Sequence, residues 1–190
     1  MQETVKGVEV SEEVPEDMDS ASINGFDAEA QAFPEYMGSL EQNGVCLSGP
    51  IRCVADNGKG WREDIINDYP EINFNNPLDM YDPDEQEILC DPVDLDSDSD
   101  KEQIVPSEYV IEDKTLINQS EAVFLGLPKE IARGSCMESM YSFFQGIPVF
   151  VWTMDRQEES GWIFHHSEFI DNDRDEVMYE LKKYLGENNE

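Results

Sequence analysis

The sequence predicts a three-layer, doubly wound α/β domain built on a mostly parallel sheet. Three observations carry this expectation. Short apolar runs with strand character recur at Gly44–Gly49, Ile72–Pro77, Ala122–Leu127 and Pro148–Trp152. Segments with helical apolar spacing lie between them. One stretch, EAVFLGLPKEIARGSCMESMYSFFQGIPVFVW from Glu121 to Trp152, reads as a complete β-loop-α-β unit. Alternation of this kind requires right-handed crossovers between parallel strands, with helices on both faces.

The elements follow in order. Residues 1–42 are acidic, with scattered apolar positions and little periodicity, so a largely disordered arm is expected, followed by a single domain over 43–187. GVCLSG (44–49) is a short apolar run stopped by Gly49-Pro50, a buried first strand. The loop after it, PIRCVADNGKG, holds Arg52 and Lys59, two cations in a chain with few; each suits either an anion or sugar contact or an ordinary surface position. Trp61, Ile65, Ile66 and Tyr69 then recur at helical spacing, with Arg62, Glu63, Asp64 and Asp68 assigned to the opposite face and Pro70 ending the helix. INFNNP (72–77) is a second strand. An acidic insertion covers about 82–103; its DLDSDSD run lacks the central glycine and closing glutamate of an EF-hand, so it reads as a solvated loop.

PSEYVIEDKTLINQS (106–120) is a second helix with Pro106 at its start. Val110, Lys114 and Ile117 make one stripe, and Tyr109, Asp113 and Leu116 its neighbour, so Asp113 lies beside the apolar face. After the third strand, a turn with Pro128 and Gly134 leads to a helix beginning near Ser135, and then to the fourth strand. GWIFHHSEFI (161–170) reads as a strand with a polar end. A final helix over Asp173–Leu185 turns Val177, Leu181, Tyr184 and Leu185 inward. A flavodoxin-like strand order sets the first strand beside the third, and the loops at 49–60 and 128–134 then open on one crevice at the switch point.

Composition narrows the function. A chain of 190 residues, 39% apolar, can bury one core of ordinary size and is too short for two full domains. Forty-four acidic against 12 basic residues give a formal net charge of -32, spread along the chain. Such a surface repels nucleic-acid polymers and anionic membranes. It suits solubility in a very salty cytoplasm, where the Debye length falls to ~3 Å at molar salt; a protein mimic of nucleic acid is the sharper alternative. Cys46, Cys53, Cys90 and Cys136 form no C-x-x-C pair and read as reduced thiols, and Met1–Asp19 lacks the apolar core of a signal peptide. With no apolar run near ~20 residues, a membrane span is not expected. His165 and His166 have no third ligand at a suitable spacing, so neither metal nor cofactor is expected.

Ser135-x-x-Glu138 also matches a capping box, in which Glu138 folds back to the cap residue's N–H from the first helical turn. A carboxylate there is held ionised by the helix dipole, which is what attack on an anomeric carbon needs. The segment Tyr109–Ala122, the run Gly134-Ser135-x-x-Glu138-x-x-Tyr141 and Gly146-x-Pro148-Val149 together resemble the nucleoside 2-deoxyribosyltransferase family. Gly49-Pro50-Ile51-Arg52 is similar to the G-S-I-R segment of the related 2-deoxynucleoside 5-monophosphate N-glycosidases.

The resemblance, covering about residues 44–152, implies cleavage of the N-glycosidic bond of a (deoxy)nucleoside or nucleotide. It implies Glu138 as the nucleophile that forms a covalent glycosyl-enzyme, and Asp113 as the group that protonates the leaving base or holds the sugar. It implies Gly134 and Ser135 in the turn near the sugar or 5-phosphate, and Gly49, Pro50, Ile51 and Arg52 as the loop contacting that end. Release to a second base is transfer and release to water is hydrolysis. A non-catalytic nucleotide-binding module is the further alternative, and a homo-oligomer is expected. The family's first-strand aromatic hydroxyl is replaced here by Cys46, and Ala132 and Arg133 stand where some transferases carry a second acid. Arg133 beside Gly134 favours a phosphorylated ligand.

Overall fold

The computed structural model describes residues 43–51, 56–81, 106–128, 133–154 and 160–187. The acidic arm expected over 1–42, the insertion over 82–103, and Arg52 all lie outside the described residues. The strands are β1 (Gly44–Ser48), β2 (Phe74–Asn75), β3 (Ser120–Gly126), β4 (Val149–Trp152) and β5 (Phe169–Asp171). Helices α1 (Lys59–Asp68), α2 (Pro106–Asn118), α3 (Arg133–Gln145), α4 (Gly161–His166) and α5 (Arg174–Glu187) connect or flank them.

All five strands run parallel in the order β2-β1-β3-β4-β5, the doubly wound, flavodoxin-like order. β1 pairs with β3 through Cys46↔Val123 and Ser48↔Leu125, so the chain reverses its direction of winding between these two central strands. Their burial on both faces explains the unbroken apolar runs.

Period-two alternation splits the core in two. Cys46, Val123, Leu125, Val149 and Val151 face Leu116 and Ile117 of α2, Ile163 of α4, and the partly buried Cys136 and Tyr141 of α3. Val45, Leu47, Ala122, Phe124 and Phe150 face Ile65 of α1 and Val177, Met178 and Leu181 of α5. The sheet is therefore the middle of three layers, with α2, α3 and α4 on one side and α1 and α5 on the other.

Three local expectations are corrected. GWIFHH is helix α4, not strand. Ser160 caps it by accepting from the Ile163 N–H at 3.3 Å, and the buried positions Ile163 and His166 are three apart, a helical period; only Phe169–Asp171 joins the sheet. INFNNP supplies only two paired residues before Asn76 caps a 3₁₀ turn at Pro77–Met80, with Pro77 at its first position. In α2, Leu116 of one stripe and Ile117 of the other are both buried while Val110 is exposed, so the core-facing side straddles the two stripes at the carboxyl end of the helix.

Candidate functional site

The site grows from the carboxyl end of β1. Cys46 faces α2 and α3, and strand periodicity puts Ser48 on the same face two residues on. Ser48 is buried, and its hydroxyl donates to Oε2 of Glu138. Glu138 comes from α3, where side chains lean back toward the helix N-terminus. Its Oε1 lies 3.8 Å from where a Cβ at Gly134 would stand, so the carboxylate sits between the end of β1 and the first turn of α3. Asp113 of α2 lies near enough for the charge of Glu138 to raise its carboxyl, second only to burial.

This geometry replaces the capping box. Helix α3 starts at Arg133, so Ser135 stands inside it, buried, and Glu138 is in the second turn. The carboxylate of Glu138 takes a hydrogen bond from Ser48 of β1 across the crevice.

The electrostatics divide the two acids. Burial raises Glu138, while the Ser48 hydroxyl and the charge of Arg62 oppose the rise. Asp113 is pushed well above the usual carboxylate range by burial, then by Glu138 and Glu112, with Arg62 opposing. Both half-buried carboxyls are raised, Asp113 the further, so of the two Asp113 holds its proton more readily and Glu138 ionises first. Burial, with Glu138 and Asp113 adding, also raises the Cys46 thiol well above its ordinary value, which keeps it protonated.

The cation that balances this cluster is Arg62 of α1, assigned from sequence to the solvent face but fully buried. Its Nη1 donates to the Gly58 carbonyl at 2.7 Å, Nη2 to the Gly49 carbonyl at 2.8 Å, and Nε to the Leu47 carbonyl at 3.4 Å. Its guanidinium carbon also lies 4.3 Å from the centre of the Trp61 ring. Burial pulls Arg62 down to about 10, against the pull of Glu138, Cys46, Asp113 and Asp56. Arg62 thus ties both ends of the loop after β1 to the strand. A signal for this existed: Arg62 precedes Ile65 and Ile66 by three and four residues, which puts it on their face.

The expected loop residues divide. A Cβ at Gly49 would meet Trp61 Cζ2 at 2.6 Å and the Gly126 carbonyl at 2.9 Å, so glycine there permits the close approach of β1, β3 and Trp61. Pro50 is buried and Ile51 partly so. Gly134 is exposed at the start of α3 beside Glu138. Tyr141 exchanges hydrogen bonds with Asn118 at 2.9 and 3.2 Å, joining α3 to α2. Ser48 and Arg62 are the site residues sequence reasoning missed. A shallow cavity of about 570 Å³, lined by Val45, Ile72, Glu121 and Lys182 among others, lies at the amino ends of β1 and β3, the end of the sheet away from Glu138.

The chain matches no protein-family model and no curated protein. Among the described residues no helix is long and apolar enough to cross a membrane.

Proposed function

We propose that the chain cleaves the N-glycosidic bond of a (deoxy)nucleoside or nucleotide through Glu138, with transfer of the deoxyribose to a second base. The observation that carries this reading is the pairing of two unlike carboxyl groups at the switch point, with a hydroxyl aimed at one of them. An oxygen of ionised Glu138 bonds to C1 of the sugar as the C1–N bond breaks, and the bond's electrons leave with the base. Protonated Asp113 gives its proton to the departing base, and as a carboxylate it then takes a proton from the incoming one. The incoming nitrogen attacks C1 and expels Glu138. The Ser48 hydroxyl holds the nucleophile in place, and Arg62 keeps the anion affordable in a buried site.

Water in place of the second base makes the same chemistry a hydrolysis. Arg133, exposed at the first position of α3, favours a 5-monophosphate for that variant, because a helix N-terminus and a guanidinium both attract phosphate. A nucleotide-binding module without turnover would use the same crevice. The net charge of -32 supports a salt-rich cytoplasm as the setting for it.

Incubation with deoxynucleosides and their monophosphates, with and without a free second base, separates these outcomes by chromatography. Exchanged nucleoside means transfer, free base alone means hydrolysis, and intact bound ligand means a binding module. Glu138→Gln keeps an oxygen that accepts from Ser48, so it should fold normally and lose turnover by at least about a thousand-fold. A folded Glu138→Gln protein that retains turnover sinks the nucleophile assignment.

A further inference from the structure

The amino end of the sheet, away from Glu138, holds the cavity of about 570 Å³, within the ~300–1,000 Å³ usual for small-molecule sites. Val45, Ile72 and Leu185 give it an apolar wall, and Glu121, Asn43 and Asn73 line it as well. Two backbone irregularities fall there. The register of β1 with β3 steps from Gly44↔Ser120 to Val45↔Ala122, so Glu121 is an extra residue with no partner on β1. Strict alternation would place Glu121 on the α2 side with Val123 and Leu125; it lines instead a cavity walled by Val45 and α5, on the other face of the sheet. Bulges are over-represented beside binding and catalytic sites, where they re-aim a side chain. Asn43, just before β1, holds a left-handed φ of 75°, backbone strain of the kind that collects at ligand clamps.

Charge decides what the cavity takes. Its one cation, Lys182, is held by Glu71 at 2.5 Å and lies 4.5 Å from the centre of the Tyr69 ring. The carboxylate of Glu121 has no ion pair among the described residues. Leu185 and Gly186 belong to the last turn of α5, where the carbonyls lack helical partners and carry the negative end of the dipole, and no basic residue stands in that turn. One unmatched carboxylate, a helix carboxyl end and an apolar wall therefore meet at one place.

We propose that this cavity binds a small primary amine with an apolar body, its ammonium on Glu121 and its body against Val45, Ile72 and Leu185. An anion would meet Glu121 and Glu71, and the second charge of a diamine would find only Glu71, which Lys182 already holds. The inference does not depend on catalysis by Glu138, because the two sites lie at opposite ends of β1 and β3.

Isothermal titration calorimetry on the full chain in molar KCl tests it, with 2-phenylethylamine as the probe and 2-phenylethanol and phenylacetate as its neutral and anionic counterparts. The amine should bind with a Kd of about 1 mM or below. The alcohol and the acid should bind at least about ten-fold more weakly, the range set by one charge-assisted hydrogen bond. Glu121→Gln should weaken the amine by about ten-fold and Glu121→Lys should abolish its binding, both with an unchanged circular dichroism spectrum. Lys182→Met, which frees Glu71, should tighten it, and Glu138→Gln should leave the titration as it is. If the Glu121 variants unfold, the comparison of amine with alcohol on the native protein and the Lys182→Met titration decide the matter. The proposal is overturned by a native protein that takes up no amine, by equal binding of amine and alcohol, by a Lys182→Met protein that fails to bind more tightly, or by a folded Glu121→Lys protein that binds as before. Loss of binding in Glu138→Gln alone would put the amine in the catalytic crevice and overturn it too.

Discussion

Arg62 offers the sharpest test of how the crevice is built. Arg62→Met keeps much of the side-chain volume and removes the guanidinium. The two short bonds, to Gly58 at 2.7 Å and Gly49 at 2.8 Å, are charge-assisted, each worth ~1.5–3 kcal/mol, and their loss leaves buried carbonyls without those donors. The Leu47 contact at 3.4 Å is long and adds little. Removing the buried charge also removes its desolvation cost, which offsets part of the loss. The balance is a destabilisation of about 2–4 kcal/mol, a large share of the ~5–15 kcal/mol by which domains are stable. Arg62→Lys keeps the charge but cannot fork to two carbonyls, so it should fall about midway. Urea unfolding in molar KCl measures both. A change under about 0.5 kcal/mol for Arg62→Met, the size of an ordinary surface substitution, would refute the argument that this side chain clamps the loop to β1.

Two further outcomes follow from the same geometry. In Ser48→Ala, Glu138 loses a hydrogen bond that favours its ionised form, so its carboxyl titrates higher; because the proposed reaction needs the anion, the acid limb of the pH–rate profile should move to higher pH, and a limb that stays put or moves down contradicts the assignment. Because the formal charge of -32 repels itself most when unscreened, the midpoint of thermal unfolding should fall by at least about 10 °C between molar and 0.1 M KCl, and a protein equally stable at both would not be salt-adapted.

The legible part of the fold was the part governed by local periodicity. The apolar runs that became β1, β3 and β4 announce themselves because strands buried on both faces need no polar alternation. The weak elements were misread where one local rule competed with another. In GWIFHH, aromatic and β-branched residues suggested a strand, while the cap at Ser160 and the spacing of Ile163 and His166 specified a helix. Within the site, Asp113 could be placed beside an apolar stripe and Glu138 near the start of a helix. The capping box was nevertheless the wrong local partner, because helix α3 begins earlier and the carboxylate reaches β1 instead.

What the sequence determined by itself was the class of sheet, the direction of its strands and the crevice between the first and third, since these follow from apolar period and from the handedness of crossovers. Tertiary structure alone decided which polar side chains meet there. Ser48 and Glu138 are 90 residues apart, and Arg62 reaches back 13 residues to the Gly49 carbonyl, so no local pattern encodes either contact. The physical reason is desolvation. A buried carboxylate or guanidinium persists only where its partners are brought to it, and those partners come from whichever strands and helices the packing places alongside.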